Sequence, residues 1–120
     1  MPIPDKSKPA GQKKGQDPNE VNALQIKLTA TFKEQGLFTS VFSDKPNETS
    51  APHAHAGATL VTLKGSASIR LDEGEWQTVV PGDITVIKDD QLHEVKAGNE
   101  GWTYLFACSQ QEAKRQGLID

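Results

Sequence analysis

Three histidines are the side chains whose type and spacing point to chemistry. His53 and His55 lie in the run Pro52-His53-Ala54-His55, and His93 lies in a second run from Pro81 to Gly98. On an extended strand, residues i and i+2 share a face. His53 and His55 then project to the same side, about 7 Å apart at the backbone. That is close enough to tilt onto one ion, with metal–nitrogen bonds of about 2.0–2.1 Å. Pro52 supports the extended reading, because it blocks a helix from upstream and biases Ala51 toward β geometry. Alone, a His-x-His in a strand is weak evidence and reads more readily as two surface or half-buried imidazoles. The second run adds the third histidine. Pro81-Gly82-Asp83 is a tight turn, Ile84 to Ile87 is β-rich, Lys88 to Gln91 is a polar turn, and His93 opens a further extended run.

These two stretches resemble the paired motifs of the cupin superfamily. The first cupin motif has a leading Gly, then His-x-His, a Glu, and a closing Gly. His53, His55 and Gly65 match it, and Asn47 stands near the leading Gly. Asn tolerates left-handed geometry better than other non-glycine residues. In the second motif Gly82 matches the first position and His93 falls at the expected distance. Lys88 replaces the usual Pro, Asp90 the usual Gly, and Ala97 the usual Asn. The Glu that ligates metal in many cupins is absent, and its place falls on Ala58 or Thr59. The resemblance therefore implies a centre of three neutral histidines, His53, His55 and His93, without a carboxylate. This is similar to the three-His centres of some cupin dioxygenases. One divalent transition metal is implied, with Fe, Ni, Mn, Zn and Cu all compatible with imidazole.

The elements that must hold these ligands read as strands. Leu24, Ile26, Leu28, Ala30 and Phe32 alternate with polar residues, which predicts a half-buried strand over 24–33. Leu37 to Phe42 is a second run, and Ser43 to Asn47 a loop. Ala58 to Leu63, Ser66 to Leu71, Glu75 to Val80, Ile84 to Ile87, His93 to Lys96 and Trp102 to Cys108 follow. Gly65 is a corner, and Ala97 to Gly101 reads as a turn. Short strands with Gly-rich turns predict an all-β sandwich or barrel. The cupin resemblance selects the small RmlC-like double-stranded β-helix, or jelly roll, over 21–120. Ser109 with Glu112 three residues on predicts an N-cap and a short C-terminal helix, which Gly117 closes. Residues 1–20 are rich in Pro, Gly, Lys and Gln and read as a flexible arm. Trp102, Tyr104 and Phe106 share one strand face and read as core. Glu94 follows His93 directly, so alternation points it away from the metal.

Composition narrows the function classes. The chain has 120 residues, a formal net charge of −3 and a hydrophobic content of 35%, a single-domain length. No basic stripe interleaved with aromatics suggests nucleic acid. No apolar run approaches the roughly 18–20 residues of a membrane span, and no signal h-region is visible, so the cytoplasm is the default. The single cysteine, Cys108, excludes an internal disulfide and reads as a buried thiol. Neither a phosphate-cradling Gly loop nor a nucleophile elbow is present. The expected partner is a small-molecule ligand or substrate. The resemblance further implies a homodimer formed by sheet extension near the first strands. Three neutral ligands leave open coordination positions, and they favour an anionic, chelating substrate. Metal-dependent oxygenase, isomerase and lyase chemistry are all compatible, with a three-His dioxygenase ahead. A small-ligand or sugar-binding sensor and a metal-free scaffolding barrel are the alternatives.

Overall fold

Two long strands carry the architecture. The computed structural model describes residues 14–120 and runs α1 (Pro18–Glu34), β1 (Phe38–Asp44), β2 (Thr49–His53), β3 (Ala58–Leu71), β4 (Trp76–Val79), β5 (Ile84–Ile87), β6 (His93–Cys108) and α2 (Gln110–Arg115). Strands β3 and β6 pair antiparallel along their whole length, from Thr59↔Ala107 to Leu71↔His93. At one end the layer is β5-β3-β6-β1, and at the other it is β4-β3-β6-β2. Both layers send residues into one core: Leu60 and Phe106 from the first, Ile69 and Val95 from the second. Strand spacing predicts a sandwich or barrel, and this is the all-β double-stranded barrel that the cupin resemblance selects among them.

The bend between layers comes from irregular pairing around Thr62–Lys64 and Gly65–Ala67. Bulges of this kind add twist and turn a sheet over on itself. Gly65 (φ 72°) and Gly101 (φ 84°) face each other there in left-handed conformations. A Cβ on Gly65 would collide with the Gly101 carbonyl oxygen. The predicted corner at Gly65 and turn at 97–101 are therefore bends inside continuous strands. A bulge conserves the ladder on both sides, whereas a turn would end it.

The strand expected over 24–33 is a helix. Asp17 caps it, accepting from Asn19 N and Glu20 N at 2.9 Å each, with Pro18 in the first turn. Asp17 and Glu20 form a capping-box spacing, and Val21, Leu24, Leu28 and Phe32 make a stripe of helical period. The period-two pattern arises because Ile26 and Ala30 fall between members of that stripe. Both are exposed, Ile26 at 65%. Helix α1 packs against β1 and β3 on the outside of the barrel. Val61 and Leu105, paired across β3 and β6, are 0% and 2% exposed there. They sit outside the barrel's inner cluster, as does the buried Val21 of α1. Most of the expected 1–20 arm, residues 1–13, lies outside the described residues, while Pro18–Glu20 belong to α1. Helix α2 forms as expected, with Ser109 Oγ accepting from Glu112 N at 3.1 Å and Gly117 (φ 76°) ending it. Among the described residues no helix is long and apolar enough to cross a membrane.

Gly65→Ala is expected to cost at least about 2 kcal/mol, from left-handed strain plus a backbone shift at the collision. Gly36 has a similar φ of 77° but open space around it, so Gly36→Ala is expected to cost only about 1 kcal/mol. Urea denaturation of both variants checks the difference.

Candidate metal centre

The three histidines meet at one end of the second layer. His53 ends β2 and pairs with His93, which opens β6; the pairing slips between Ser50 and His53. His55 lies two residues beyond the strand, so β alternation positions His53 alone. A neighbouring loop holds His55 instead. Asp90 N donates to His55 O at 2.8 Å, and the Asp89 carboxylate accepts from Gly57 N at 2.6 Å. The polar turn 88–91 thus clamps the segment between β2 and β3. Asp90 adopts φ 59° there; Asn47 has φ 62°, the left-handed geometry expected of it.

Ring centroids lie 5.3 Å (His53–His55), 4.2 Å (His53–His93) and 4.7 Å (His55–His93) apart. One nitrogen from each ring falls in a group whose members are all within 4.8 Å of one another. His53 is exposed, His55 half-buried and His93 buried. Each Nδ1 is engaged by a backbone carbonyl: Ala51 O at 2.8 Å, Ala56 O at 2.6 Å and Gln91 O at 2.9 Å for His53, His55 and His93. A carbonyl only accepts, so each bond places the proton on Nδ1 and leaves the Nε2 lone pair as the donor. This is the tautomer a metal-binding imidazole needs, with its other nitrogen oriented by a hydrogen bond. A tetrahedral ion with bonds of about 2.1 Å would draw the nitrogens to about 3.4 Å apart, which small side-chain rotations accomplish. The residues fit one transition metal ion.

Burial holds the His93 imidazole below its ordinary range; the Gln91 hydrogen bond opposes this, and the neighbouring His53 and His55 assist it. The group is therefore kept neutral, the form that ligates.

Of the two candidates for the place of the missing Glu, Ala58 faces the histidines and Thr59 does not. Ala58 lines the histidine cavity beside Leu60 and Ile87, while Thr59 pairs with Val86 and Ala107 and points to the opposite face. The cavity is about 340 Å³, within the usual range of small-molecule pockets. Phe42, Trp102, Tyr104 and Phe106 form its aromatic wall. The last three are core residues, as expected, and they also present their surfaces to the cavity. Glu94 points away and pairs with Arg70 at 3.3 Å. Glu48 lines the cavity.

Asp44, Gln116 and Leu118 also line it, and sequence reasoning missed them. Asp44 reads as loop by composition but ends β1 two residues after Phe42, on the same face. That register was the available signal. Gln116 and Leu118 come from the end of α2, brought in because Glu112, itself buried, binds Arg115 at 2.8 Å and also Gln116. Cys108 is buried, as expected, and its thiol is pushed up by burial and by Glu112.

Asp89→Ala is expected to weaken metal binding about tenfold by loosening the His55 segment, as loss of an outer-sphere support does. Ala58→Glu is expected to strengthen it about tenfold by restoring a fourth ligand. Competition against a chromogenic chelator reads both. In metal-free protein the unfolded chain protonates His93 near pH 6.5 while the folded chain resists. Stability should therefore fall as pH drops below about 6.5, and His93→Gln should flatten that slope in melting curves.

No curated protein matches this sequence. Solved structures do. A cupin superfamily protein from Desulfitobacterium hafniense is 20% identical with a TM-score of 0.54, over 61% of this chain and 66% of that one. The DMSP lyase DddQ from Ruegeria pomeroyi is 18% identical with a TM-score of 0.56, over 60% of this chain and 37% of that one. The polyketide cyclase RemF from Streptomyces resistomycificus is 26% identical with a TM-score of 0.55, over 59% of this chain and 52% of that one. The chain spans less than two thirds of the length of each. The family profile described as the AraC-like ligand binding domain matches residues 36–108, from just before β1 to the end of β6. With its bent double-stranded barrel and its histidines on the cupin positions, the chain belongs to the AraC-like ligand-binding domain family of the cupin superfamily.

Proposed function

We propose that this protein is a small metal-dependent enzyme with a three-histidine centre, acting on a small molecule held in the barrel cavity. One observation carries the reading. All three Nδ1 atoms are engaged by backbone carbonyls, so three Nε2 lone pairs are available to one ion, and Ala58 leaves the remaining positions to water or substrate. A divalent ion bound there polarises a ligand oxygen and, if redox-active, gives access to oxygen chemistry.

The chain's own groups hold and orient. His53, His55 and His93 are neutral donors. Leu60, Ile87 and Val95 make an apolar wall that excludes water near them. The Tyr104 phenol, pushed up to about 12 by burial and then by Asp44 and Glu48, stays protonated and can donate. The carboxylates that could take a proton, Asp44 and Glu48, lie a strand's length of backbone from His53. Open ligand positions on a redox-active ion favour a dioxygenase-like reaction. DddQ and RemF, named as a lyase and a cyclase, show that neighbours on this fold carry other reactions. Their identity of 18% and 26% leaves lyase and isomerase chemistry as alternatives.

A second reading, a non-enzymatic ligand sensor, is favoured by the matched family's description as a ligand-binding domain. A metal-free scaffold is the third.

Elemental analysis of untagged protein beside a His53→Ala/His93→Ala variant tests the centre. About one equivalent of a transition metal is expected in the parent and less than a tenth of that in the variant. Oxygen uptake by the iron-loaded protein with candidate substrates then separates enzyme from sensor. A folded parent that takes up no metal after reconstitution would falsify the enzyme reading and leave the scaffold.

A further inference from the structure

The cavity's fixed charges are all of one sign. Asp44 and Glu48 line it, and no lysine or arginine does. Among the described residues neither carboxylate makes an ion pair. Glu48 is exposed and its Oε1 accepts from Lys45 N at 2.8 Å, so its negative charge is retained at the cavity mouth. Burial, and then the nearby Glu48, raise Asp44 above the ordinary carboxylate range. A half-buried carboxylate without a cation is costly, and here the shortfall faces the cavity.

The other end carries the opposite sign once a divalent ion sits on three neutral imidazoles. Glu48 precedes β2 and His53 ends it, five residues on. The two ends are thus about 16 Å apart along the backbone, a gap that inward-pointing side chains shorten. Tyr104 lies beside the carboxylate end, stacked on Trp102 at 3.9 Å with an interplanar angle of 22°. Trp102 is fixed in turn by its indole N–H donating to Thr62 Oγ1 at 3.1 Å. An aromatic face beside two carboxylates is a favourable environment for an organic cation.

We propose that the ligand is an elongated zwitterion: its carboxylate meets the histidine-held metal, and its ammonium end lies between Asp44 and Glu48 against Tyr104. The proposal rests on the metal reading above and refines its ligand class. The purely anionic chelator expected from three neutral histidines alone would run its tail toward two like charges. A neutral polyol would hydrogen-bond to the carboxylates without neutralising them. A zwitterion satisfies both ends, and Asp44 becomes the residue that selects it.

Cobalt(II)-loaded protein provides the test. Calorimetry and the cobalt absorption bands would be followed with β-alanine, 4-aminobutyrate and 6-aminohexanoate, each beside its unaminated carboxylate, and with sorbitol. At one chain length the amino acid is expected to bind at least tenfold more tightly than its partner, with a shift in the cobalt bands. In Asp44→Asn that preference should fall below threefold, because the amino acid weakens and the plain carboxylate strengthens. Glu48→Gln, which keeps the acceptor for Lys45 N, should act in the same direction. Cobalt content should stay at one per chain in both variants. Equal binding of amino acid and plain carboxylate at every length, a preference that survives both variants, or tighter binding of sorbitol would overturn the proposal with the metal reading intact. Failure of the parent to take up cobalt would overturn both together.

Discussion

The ladder between β3 and β6 constrains the rest of the molecule. It runs from Thr59↔Ala107 to Leu71↔His93, so the same two strands stand at the centre of both layers. Every other strand attaches to one of them. The bend near Gly65 and Gly101 folds the ladder over, and only then do Leu60, Phe106, Ile69 and Val95 share a core. His93 opens β6 at one end of this ladder, and β2 brings His53 against it. Two of the three candidate metal ligands are thus brought together by backbone pairing, and His55 joins them through the loop.

The site has two kinds of support. The imidazoles are oriented locally, each Nδ1 bonding a carbonyl one or two residues away. Such short-range bonds lose little chain entropy on folding. The segment carrying His55 is held over a longer range by Asp89 and Asp90. The motif departure at Asp90 therefore has a structural role: it keeps the left-handed turn that a glycine would give, and its amide ties the loop to His55.

The helix replacing the expected first strand shows how a local pattern misleads. Residues 24–33 alternate cleanly, yet Asp17, Pro18 and Glu20 announce a helix start and Val21 extends the stripe to period 3.6. Burial then distinguishes the two readings: Leu24, Leu28 and Phe32 are partly covered while Ile26 is exposed. Val61 and Leu105 are buried outside the inner cluster, and α1 packs against β1 and β3.

Residue types and spacing were enough to determine the three metal-ligating candidates, the strand-rich class, the capped C-terminal helix and the outward direction of Glu94. These depend on periodicity and on local backbone chemistry, which the order of residues contains. Tertiary structure decided that Ala58 rather than Thr59 lines the histidine cavity, because that choice depends on where the β2–β3 loop ends and the β3 register begins. It also brought Asp44, Glu48, Gln116 and Leu118 to one cavity from the end of β1, the start of β2 and the end of α2. The pair Asp44 and Glu48 and the pair Gln116 and Leu118 come from opposite ends of the domain, and nothing local links one pair to the other. They meet because the ladder bends and α2 closes over its end, so the electrostatic character of the cavity is a property of the assembled barrel.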